Sequence, residues 1–233
     1  MAKREVTPEK IAELVTKNPY ILLSSLCRKS LFHFVQTFWE YIATTDFVSN
    51  WHIPYICNEL ETIARRVADN KKSLYDLCIN IPPGTTKTIL TSIMFPAWCW
   101  VNWPHFRFIC VSYSGTLSIQ AAVHCRNIMT SDLYKKLFPE IRLNPDSAAK
   151  NLFKIDRQVG YKRWKSEGER FSTSVNGTVT GMHGHIIIID DPLNPREAAS
   201  AISIETANQF VTTTLSSRKV DKMDIAEIGR AHV

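Results

Sequence analysis

The sequence DLCINIPPGTTKTIL at residues 76–90 decides the predicted fold of this chain. Residues 77–81 are an apolar run typical of a strand, residues 82–86 are a tight loop, and residues 88–100 predict a helix. A strand, a loop, a Lys-Thr pair and a helix in this order are the layout of a phosphate-binding loop. An ordinary strand–turn–helix of an α/β core has the same layout, so both interpretations stay open for this stretch alone.

The loop carries residue types that a bound phosphate needs. Phosphate oxygens accept hydrogen bonds from backbone N–H groups that precede a helix. We expect Lys87 to reach the β- and γ-phosphates of a nucleotide and the Thr88 hydroxyl to coordinate Mg²⁺. The other candidate phosphate-binding residues are Pro83, Gly84, Thr85 and Thr86. The match to G-x-x-x-x-G-K-[ST] is imperfect, because Ile81 and Thr86 stand where the pattern has glycine.

A second stretch, HIIIIDDP at residues 185–192, fits as the partner of the loop. Consecutive isoleucines predict a strand that is buried on both faces of a parallel sheet. Two carboxylates follow at its carboxyl end, where open α/β sheets bind ligands. Asp190 is then placed to hold Mg²⁺, and Asp191 to orient and deprotonate the attacking water. An acidic turn that caps the next helix is the alternative interpretation.

Composition limits the possible classes of protein. The chain has 233 residues, of which 45% are hydrophobic, and a formal net charge of +6. This composition suffices for one large packed domain, and the charge permits polyanion binding without requiring it. We see no run of apolar residues long enough to span a membrane and no secretory signal. The six cysteines show no C-x-x-C spacing and are interpreted as reduced core thiols, with no metal site or disulfide.

The rest of the chain is predicted to alternate helices and strands. Helices are expected over residues 7–17, 20–42, 51–66, 116–129 and 197–215, and a strand over residues 107–112. Residues 132–149 are predicted to be a turn-rich connection, and residues 153–175 to form short strands, with antiparallel pairing left open.

His52 and Tyr55, upstream of the first strand, are candidate adenine contacts. Ser112, Tyr113 and Ser114 follow a strand and are candidate contacts to nucleotide or DNA.

Taken together, these residues resemble the ATPase domain of the large terminase subunit of tailed bacteriophages. The matching blocks fall in family order between residues 32 and 219. They are NWHIPYICNELE (50–61), NIPPGTTKT (80–88), FPAWCW (95–100), VSYSGTLSIQAAVHCR (111–126), TSVNGTVTGMHG (173–184) and IIIIDDPLNPREA (186–198). The resemblance implies an α/β P-loop NTPase of the ASCE type, with a mainly parallel central sheet flanked by helices and a helical N-terminal segment.

The resemblance also implies an activity and partners. The family hydrolyses ATP with Mg²⁺ to pump viral double-stranded DNA into a procapsid. It works as a homo-oligomeric ring on the portal protein, with a small terminase subunit, in the host cytoplasm and without a membrane. By position, Lys87 and Thr88 correspond to the Walker A pair, Asp190 to the Walker B metal carboxylate and Asp191 to the catalytic acid, where many relatives have Glu.

Two features depart from the family pattern. Many relatives carry an arginine in the loop, where this chain has Gly84, so another arginine, from the same chain or from a neighbouring subunit, must meet the transition-state charge. Arg107, Arg126 and Arg218 are the candidates. The family's nuclease domain and the coupling strand expected after Lys219 are not recognised here, which indicates an incomplete motor domain.

The domain boundaries follow from these assignments. We predict a helical N-terminal segment at residues 1–48, the ATPase core at residues 49–227, and a foreign tail at residues 228–233, IGRAHV, which matches the translation of a common sequencing-adapter read-through. Two other functions remain as alternatives to the motor: a helicase-like P-loop ATPase, and a truncated nucleotide-binding module without turnover.

Overall fold

The computed structural model describes residues 16–71, 74–159, 162–194, 196–197, 199–220 and 227–229. The helix predicted over residues 7–17 lies outside the described residues except for its last two positions. Of the predicted foreign tail, residues 230–233 also lie outside them. No helix in the described ranges is long and apolar enough to cross a membrane.

The N-terminal helical segment contains two helices, not the single long helix expected over residues 20–42. Helix α1 spans Tyr20–Lys29 and α2 spans Leu31–Phe38, followed by a 3-10 turn at Trp39–Tyr41. The break is at Ser30, whose backbone is extended (φ −138°, ψ 125°) and whose hydroxyl accepts from the His33 N–H. Serine at this position caps the second helix, which sequence periodicity alone does not reveal.

The remaining helices follow the predicted order closely. Helix α3 is confirmed at His52–Ala68 and α5 at Gly115–Thr130. The segment expected to be a turn-rich connection instead contains helix α6, Asp132–Leu137, and strand β3, Ile141–Ala148. Helix α7 at Ala201–Gln209 continues into a π-helix at Phe210–Leu215 and then into a 3-10 turn at Ser216–Arg218. Helix was predicted for this region, over residues 197–215.

The strands form one mixed sheet. Five of them are four or more residues long: β2 (Arg107–Ser112), β3 (Ile141–Ala148), β4 (Leu152–Val159), β5 (Lys162–Ser174) and β6 (Ile186–Ile189). Two very short strands, β1 (Leu77–Cys78) and β7 (Glu227–Gly229), complete the order β1-β7-β6-β2-β5-β4-β3. The α/β class is therefore confirmed, and β2 has the predicted bounds.

The expectation of a mainly parallel sheet is wrong. Strand β2 pairs in parallel with β5 and β6, but β5 pairs antiparallel with β4, and β4 antiparallel with β3. Strands that follow one another through short connections can only return antiparallel, whereas parallel strands need a longer crossover. The edge strand β3 contains Pro145, which an edge position tolerates because one side of the strand makes no ladder bonds.

The short strands differ from the prediction. Strand β1 covers only the first part of the apolar run at residues 77–81, and its described partner is β7. Strand β7 lies between β1 and β6, parallel to both. The coupling strand that the resemblance implies after Lys219 is not recognised in the sequence, whereas the structure has a short strand there, β7, which includes Ile228 and Gly229 of the predicted foreign tail.

The sheet is packed on both faces, as the isoleucine run predicts. On one face, Ile186 and Ile188 belong to the large core, which also contains residues of α1, α2, α3, α5, α6 and the helix Phe95–Asn102 (α4). On the other face, Ile187 and Ile189 pack with Phe210 and Leu215. Buried Cys27, Leu31 and Phe34 lie in the large core, so the N-terminal helices share it with the rest of the protein.

The helix that follows the loop is continuous but changes pitch. It passes from Lys87 into a π-helix at Ile89–Met94 and then into α4 at Phe95–Asn102. Pro96 explains the change, because its ring has no N–H for the carbonyl of Ser92 four residues earlier and would clash with it in a regular α-helix. The wider π turn accommodates the proline without ending the helix.

Candidate active site

The loop holds a left-handed backbone at two positions. Gly84 has φ +76°, and a β-carbon built on it meets no atom within 4 Å. Thr86 has φ +69°, which is unusual for a β-branched residue. Thr86 stands where the loop pattern has its second glycine, the residue that adopts such angles without strain. The chain therefore keeps a glycine-type backbone at this position although the residue is threonine.

Lys87 is buried behind the loop. Its side chain is 2% exposed, and its ammonium group donates to the backbone oxygen of Ile81, at the other end of the loop. The Thr85 hydroxyl donates to the oxygen of Pro82, and the Thr86 oxygen accepts from the Leu90 N–H at 3.0 Å, which begins the helix. These bonds close the loop from Ile81 to Lys87.

The two candidate carboxylates lie at the carboxyl end of β6. The Asp190 N–H extends the ladder by donating to Val111 O at 2.8 Å, and the Asp191 oxygen accepts from the Tyr113 N–H at 2.8 Å. Asp191 itself has φ +51°, which bends the chain away from the sheet. Aspartate tolerates the left-handed region better than most residues. The backbone thus anchors both residues between the ends of β6 and β2.

The loop helix and the β6 carboxylate are linked directly. The buried Ser92 hydroxyl donates to Oδ2 of Asp190 at 3.1 Å. Ser92 lies one helical turn after Thr88, so the bond aligns the helix that begins at the loop with the end of β6. Sequence reasoning missed Ser92. Its only signal was a small hydroxyl residue four positions after Thr88 in an otherwise apolar helix.

A cavity of about 340 Å³ contains three of the predicted site residues. Thr88, Asp190 and Asp191 line it, together with Ser92 and Arg170. Its other walls come from the π-helix, the end of β2, and one side of α5 with Leu117, Gln120 and His124. Residues that are far apart in sequence therefore meet in a concave space of the size that binds small ligands.

Other predicted residues lie outside that cavity. Pro83, Gly84, Thr85, Thr86 and Lys87 do not line it, and neither do His52 and Tyr55. His52 begins α3 as a half-buried residue beside the Trp51 ring, and Tyr55 is 61% exposed. Ser112 does line the cavity, whereas Tyr113 lines a separate one of about 260 Å³ with Asn176 and Pro192.

None of the three predicted arginines lines the cavity. Arg107 begins β2, at the end of the strand opposite to Ser112. Arg126 lies over the Phe153 ring, 5.9 Å from its centroid, and the Arg218 backbone oxygen accepts from Gly184 N, just before β6 begins. Arg170 of β5 is the arginine that lines the cavity. The sequence signal was weak: an arginine that alternates with Gly168 and Ser172 along a predicted strand.

The oxygen ligands in the cavity fit Mg²⁺. This ion prefers hard oxygen donors and is held by one or two protein ligands together with substrate phosphates and water. The Thr88 hydroxyl and the Asp190 carboxylate are such donors on one cavity wall. No group of three or more His, Cys, Asp or Glu residues that could form a closed metal cage occurs among the described residues.

The cysteines have a structural role in the described chain. All six are free, and all except the exposed Cys78 are buried, so the prediction of core thiols fails only for that residue. Burial raises the pKa of Cys110, which lies close to Asp190 and Arg170, and it raises the pKa of Cys57 to about 12. Neutral thiols of this kind pack as small apolar groups.

Comparison with known proteins adds no assignment. No protein-family model matches the chain, and no curated protein matches it significantly.

Proposed function

We propose that this chain is an ATP-hydrolysing motor subunit that translocates viral double-stranded DNA into a procapsid. One observation supports the chemistry above all: Thr88, Asp190 and Asp191 line one cavity at the end of two parallel strands. The residues that would hold the metal and activate the water are thus side by side. The motor and its viral setting rest on the sequence blocks described above.

The loop would bind the phosphates. Its left-handed positions at Gly84 and Thr86 turn the backbone sharply ahead of the helix, where N–H groups favour anions. Lys87 would move its ammonium group from the Ile81 oxygen to the β- and γ-phosphate oxygens. The ammonium group would then donate to a negatively charged oxygen and no longer to a neutral carbonyl, which makes a stronger hydrogen bond.

Thr88 and Asp190 would hold Mg²⁺, and Ser92 would keep Asp190 in position for it. Bound there, Mg²⁺ would offset the negative charge of the phosphate oxygens. Asp191 would orient the attacking water and accept its proton at a carboxylate oxygen. Aspartate is one methylene shorter than glutamate, so the water must approach closer to the backbone. The hydrogen bond from the Tyr113 N–H to the backbone oxygen of Asp191 holds that part of the backbone in place.

The partners in the proposal are double-stranded DNA, a portal protein, a small terminase subunit and further copies of this chain in a ring. The host cytoplasm is the proposed location, with transient binding at the procapsid portal. The formal net charge of +6 is compatible with a polyanionic partner.

Thermal unfolding with and without Mg²⁺-ATP tests nucleotide binding first. Ligand at one hundred times Kd stabilises a protein by about 2.7 kcal/mol, which raises the melting temperature by several degrees at this size. We expect that shift in the wild type and in Lys135→Ala, a control at an exposed lysine of α6. Lys87→Met keeps the buried aliphatic stem, removes the ammonium group and should abolish the shift. A folded wild type that shows no shift would refute the proposal.

Turnover separates the proposed motor from the alternatives. Asp191→Asn should retain the ATP-induced shift and lose phosphate release, because it removes the proton acceptor and leaves the loop intact. Double-stranded DNA should stimulate phosphate release in the wild type. Binding without release would favour the nucleotide-binding module, and strand separation of a DNA duplex would favour a helicase-like ATPase.

A further inference from the structure

Arg170 is a fully buried arginine in the middle of the sheet. It lies on β5, next to β2, and its relative exposure is 0%. Arginine is almost never fully buried unless its charge is paired, because removal of a guanidinium from water is unfavourable. Among the described residues, no ion pair joins Arg170 to a carboxylate. Its buried charge therefore requires an explanation.

Two of the three guanidinium nitrogens have structural partners. Nε donates to the Ser172 hydroxyl at 3.1 Å, and Nη1 donates to the backbone oxygen of Ser92. That oxygen is the one that Pro96, lacking an N–H, leaves without its α-helical donor. Arg170 thus ties β5 to the helix that follows the loop, and the hydroxyl of the same Ser92 bonds to Asp190.

The third nitrogen, Nη2, is buried and makes no hydrogen bond to a described residue. Its neighbour Cys125 offers only sulfur, a weak acceptor. Burial raises the pKa of that thiol to about 12, against the opposing effects of the Arg170 charge and of the close approach of its guanidinium to the sulfur. A buried donor without an acceptor loses its hydrogen bonds to water without replacement, which is more unfavourable still when the donor is charged. Such groups are rare and are often found where a ligand completes the bonding.

The cavity supplies the place for that ligand. Arg170 lines it together with Thr88, Asp190 and Asp191. Among the described residues on the cavity wall, Arg170 is the only lysine or arginine. An oxyanion bound in the cavity would therefore lie near the Arg170 guanidinium on β5 and near the two aspartates that follow β6.

We propose that Arg170 binds the terminal phosphate of a nucleoside triphosphate through Nη2. This inference rests on the proposed ATPase function and names the cation that Gly84 does not supply. Arg170 acts within its own chain, and its bond strengthens as negative charge spreads over the terminal phosphate oxygens in the transition state. A nucleoside diphosphate lacks that phosphate and gains nothing from Arg170.

Binding of Mg²⁺-ADP and of a Mg²⁺-bound, non-hydrolysable ATP analogue, compared in Arg170 variants, tests the inference. Arg170→Met should lower the affinity for the ATP analogue about 10- to 100-fold, the range for a charged hydrogen bond, and leave that for ADP within about twofold. Steady-state ATP hydrolysis should show a larger fall in kcat than rise in KM. Arg126→Met, which removes an arginine packed over an aromatic ring outside the cavity, should change neither affinity.

If Arg170→Met does not fold, the inference can still be tested with Arg170→Lys and with a measurement on the wild type. The lysine variant keeps the charge without the fork and should still bind ADP while losing part of its preference for the triphosphate. In the wild type, the Arg170 side-chain N–H resonances should shift on addition of the ATP analogue and not of ADP. Equal loss of both affinities, or loss of neither, would show a purely structural Arg170 and overturn the inference. A wild type that binds neither nucleotide would instead overturn the proposed function, and this inference with it.

Discussion

The hydroxyl of Ser92 donates a 3.1 Å hydrogen bond to Oδ2 of Asp190, across the gap between the loop helix and the end of β6. The contact bears on the proposed Mg²⁺ site. It connects Asp190, one proposed ligand, to the helix that carries Thr88, the other proposed ligand. The bond holds the Asp190 carboxylate in one orientation, and both residues line the cavity.

Removal of that hydroxyl should weaken metal binding. Loss of a group that orients a metal ligand typically lowers metal affinity or activity 10- to 100-fold, and we expect about 10-fold weaker Mg²⁺ activation of ATP hydrolysis in Ser92→Ala. Ser118→Ala is the control, since it removes another buried hydroxyl of the cavity lining, one that donates to Cys110 O at 3.0 Å. Titration of phosphate release against Mg²⁺ measures the effect. Equal Mg²⁺ dependence in the two variants would show that the Ser92 bond does not orient a metal ligand.

Thr86→Gly should stabilise the folded protein. Threonine in the left-handed region is strained by about 1–2 kcal/mol, whereas the greater freedom of glycine in the unfolded chain offsets about 0.5–1 kcal/mol. The net gain of about 1 kcal/mol corresponds to a rise of about 2–4 °C in melting temperature. Thr85→Gly, next to it and outside the left-handed region, should lower the melting temperature. A lower melting temperature for Thr86→Gly would contradict the strained geometry.

Gly168→Ala should destabilise the sheet. A β-carbon at Gly168 would lie 1.9 Å from the backbone oxygen of Pro104, so β5 and the turn before β2 must separate. Overpacking of this kind lowers the free energy of unfolding by about 1–3 kcal/mol. Gly115→Ala is the control. A β-carbon at Gly115 would meet nothing closer than the Ser174 hydroxyl at 3.9 Å, and Gly115 lies in helix α5, where alanine is more favourable than glycine. Urea unfolding of both variants should give opposite signs relative to wild type.

Stability should fall at mildly acidic pH because of His185. Burial, the nearby Arg107 charge and His105 lower the pKa of His185 to about 4 from its ordinary value of 6.5. Its Nδ1 accepts from the Arg107 N–H at 3.0 Å, and its ring stacks on Phe106, both of which suit a neutral imidazole. Between these two pKa values the unfolded chain binds more protons than the folded one, so the free energy of unfolding decreases as pH falls from 6.5 towards 4.

His185→Asn tests this source of the pH dependence. Asparagine retains an acceptor near the position of Nδ1 and does not titrate, so the variant should lose less stability than the wild type between pH 7 and pH 5. Burial also lowers the pKa of His105, so part of the slope should remain. Urea unfolding at the two pH values provides the measurement, and parallel losses in both proteins would assign the dependence to other groups.

The sequence predicted well those elements whose pattern is local. The run Ile186–Ile189 is a strand with both faces buried, because consecutive isoleucines can be satisfied only between two apolar layers. The strand Arg107–Ser112 and helix Gly115–Thr130 also appear where predicted. The prediction failed at Ser30 and in residues 132–149, where a single cap or the pairing of β3 with the next strand decides the structure.

The candidate site divides in the same way. The sequence by itself determined the residue types and their order: a loop ending in Lys87 and Thr88, and a buried strand ending in Asp190 and Asp191. Only the tertiary structure decided that Thr88 and the carboxylates share a cavity, that Ser92 contacts Asp190, and that Arg170 lines this cavity whereas the predicted arginines do not. The physical reason is that periodicity reports which face of one element is buried, whereas a contact between elements depends on strand pairing and helix packing over long sequence distances.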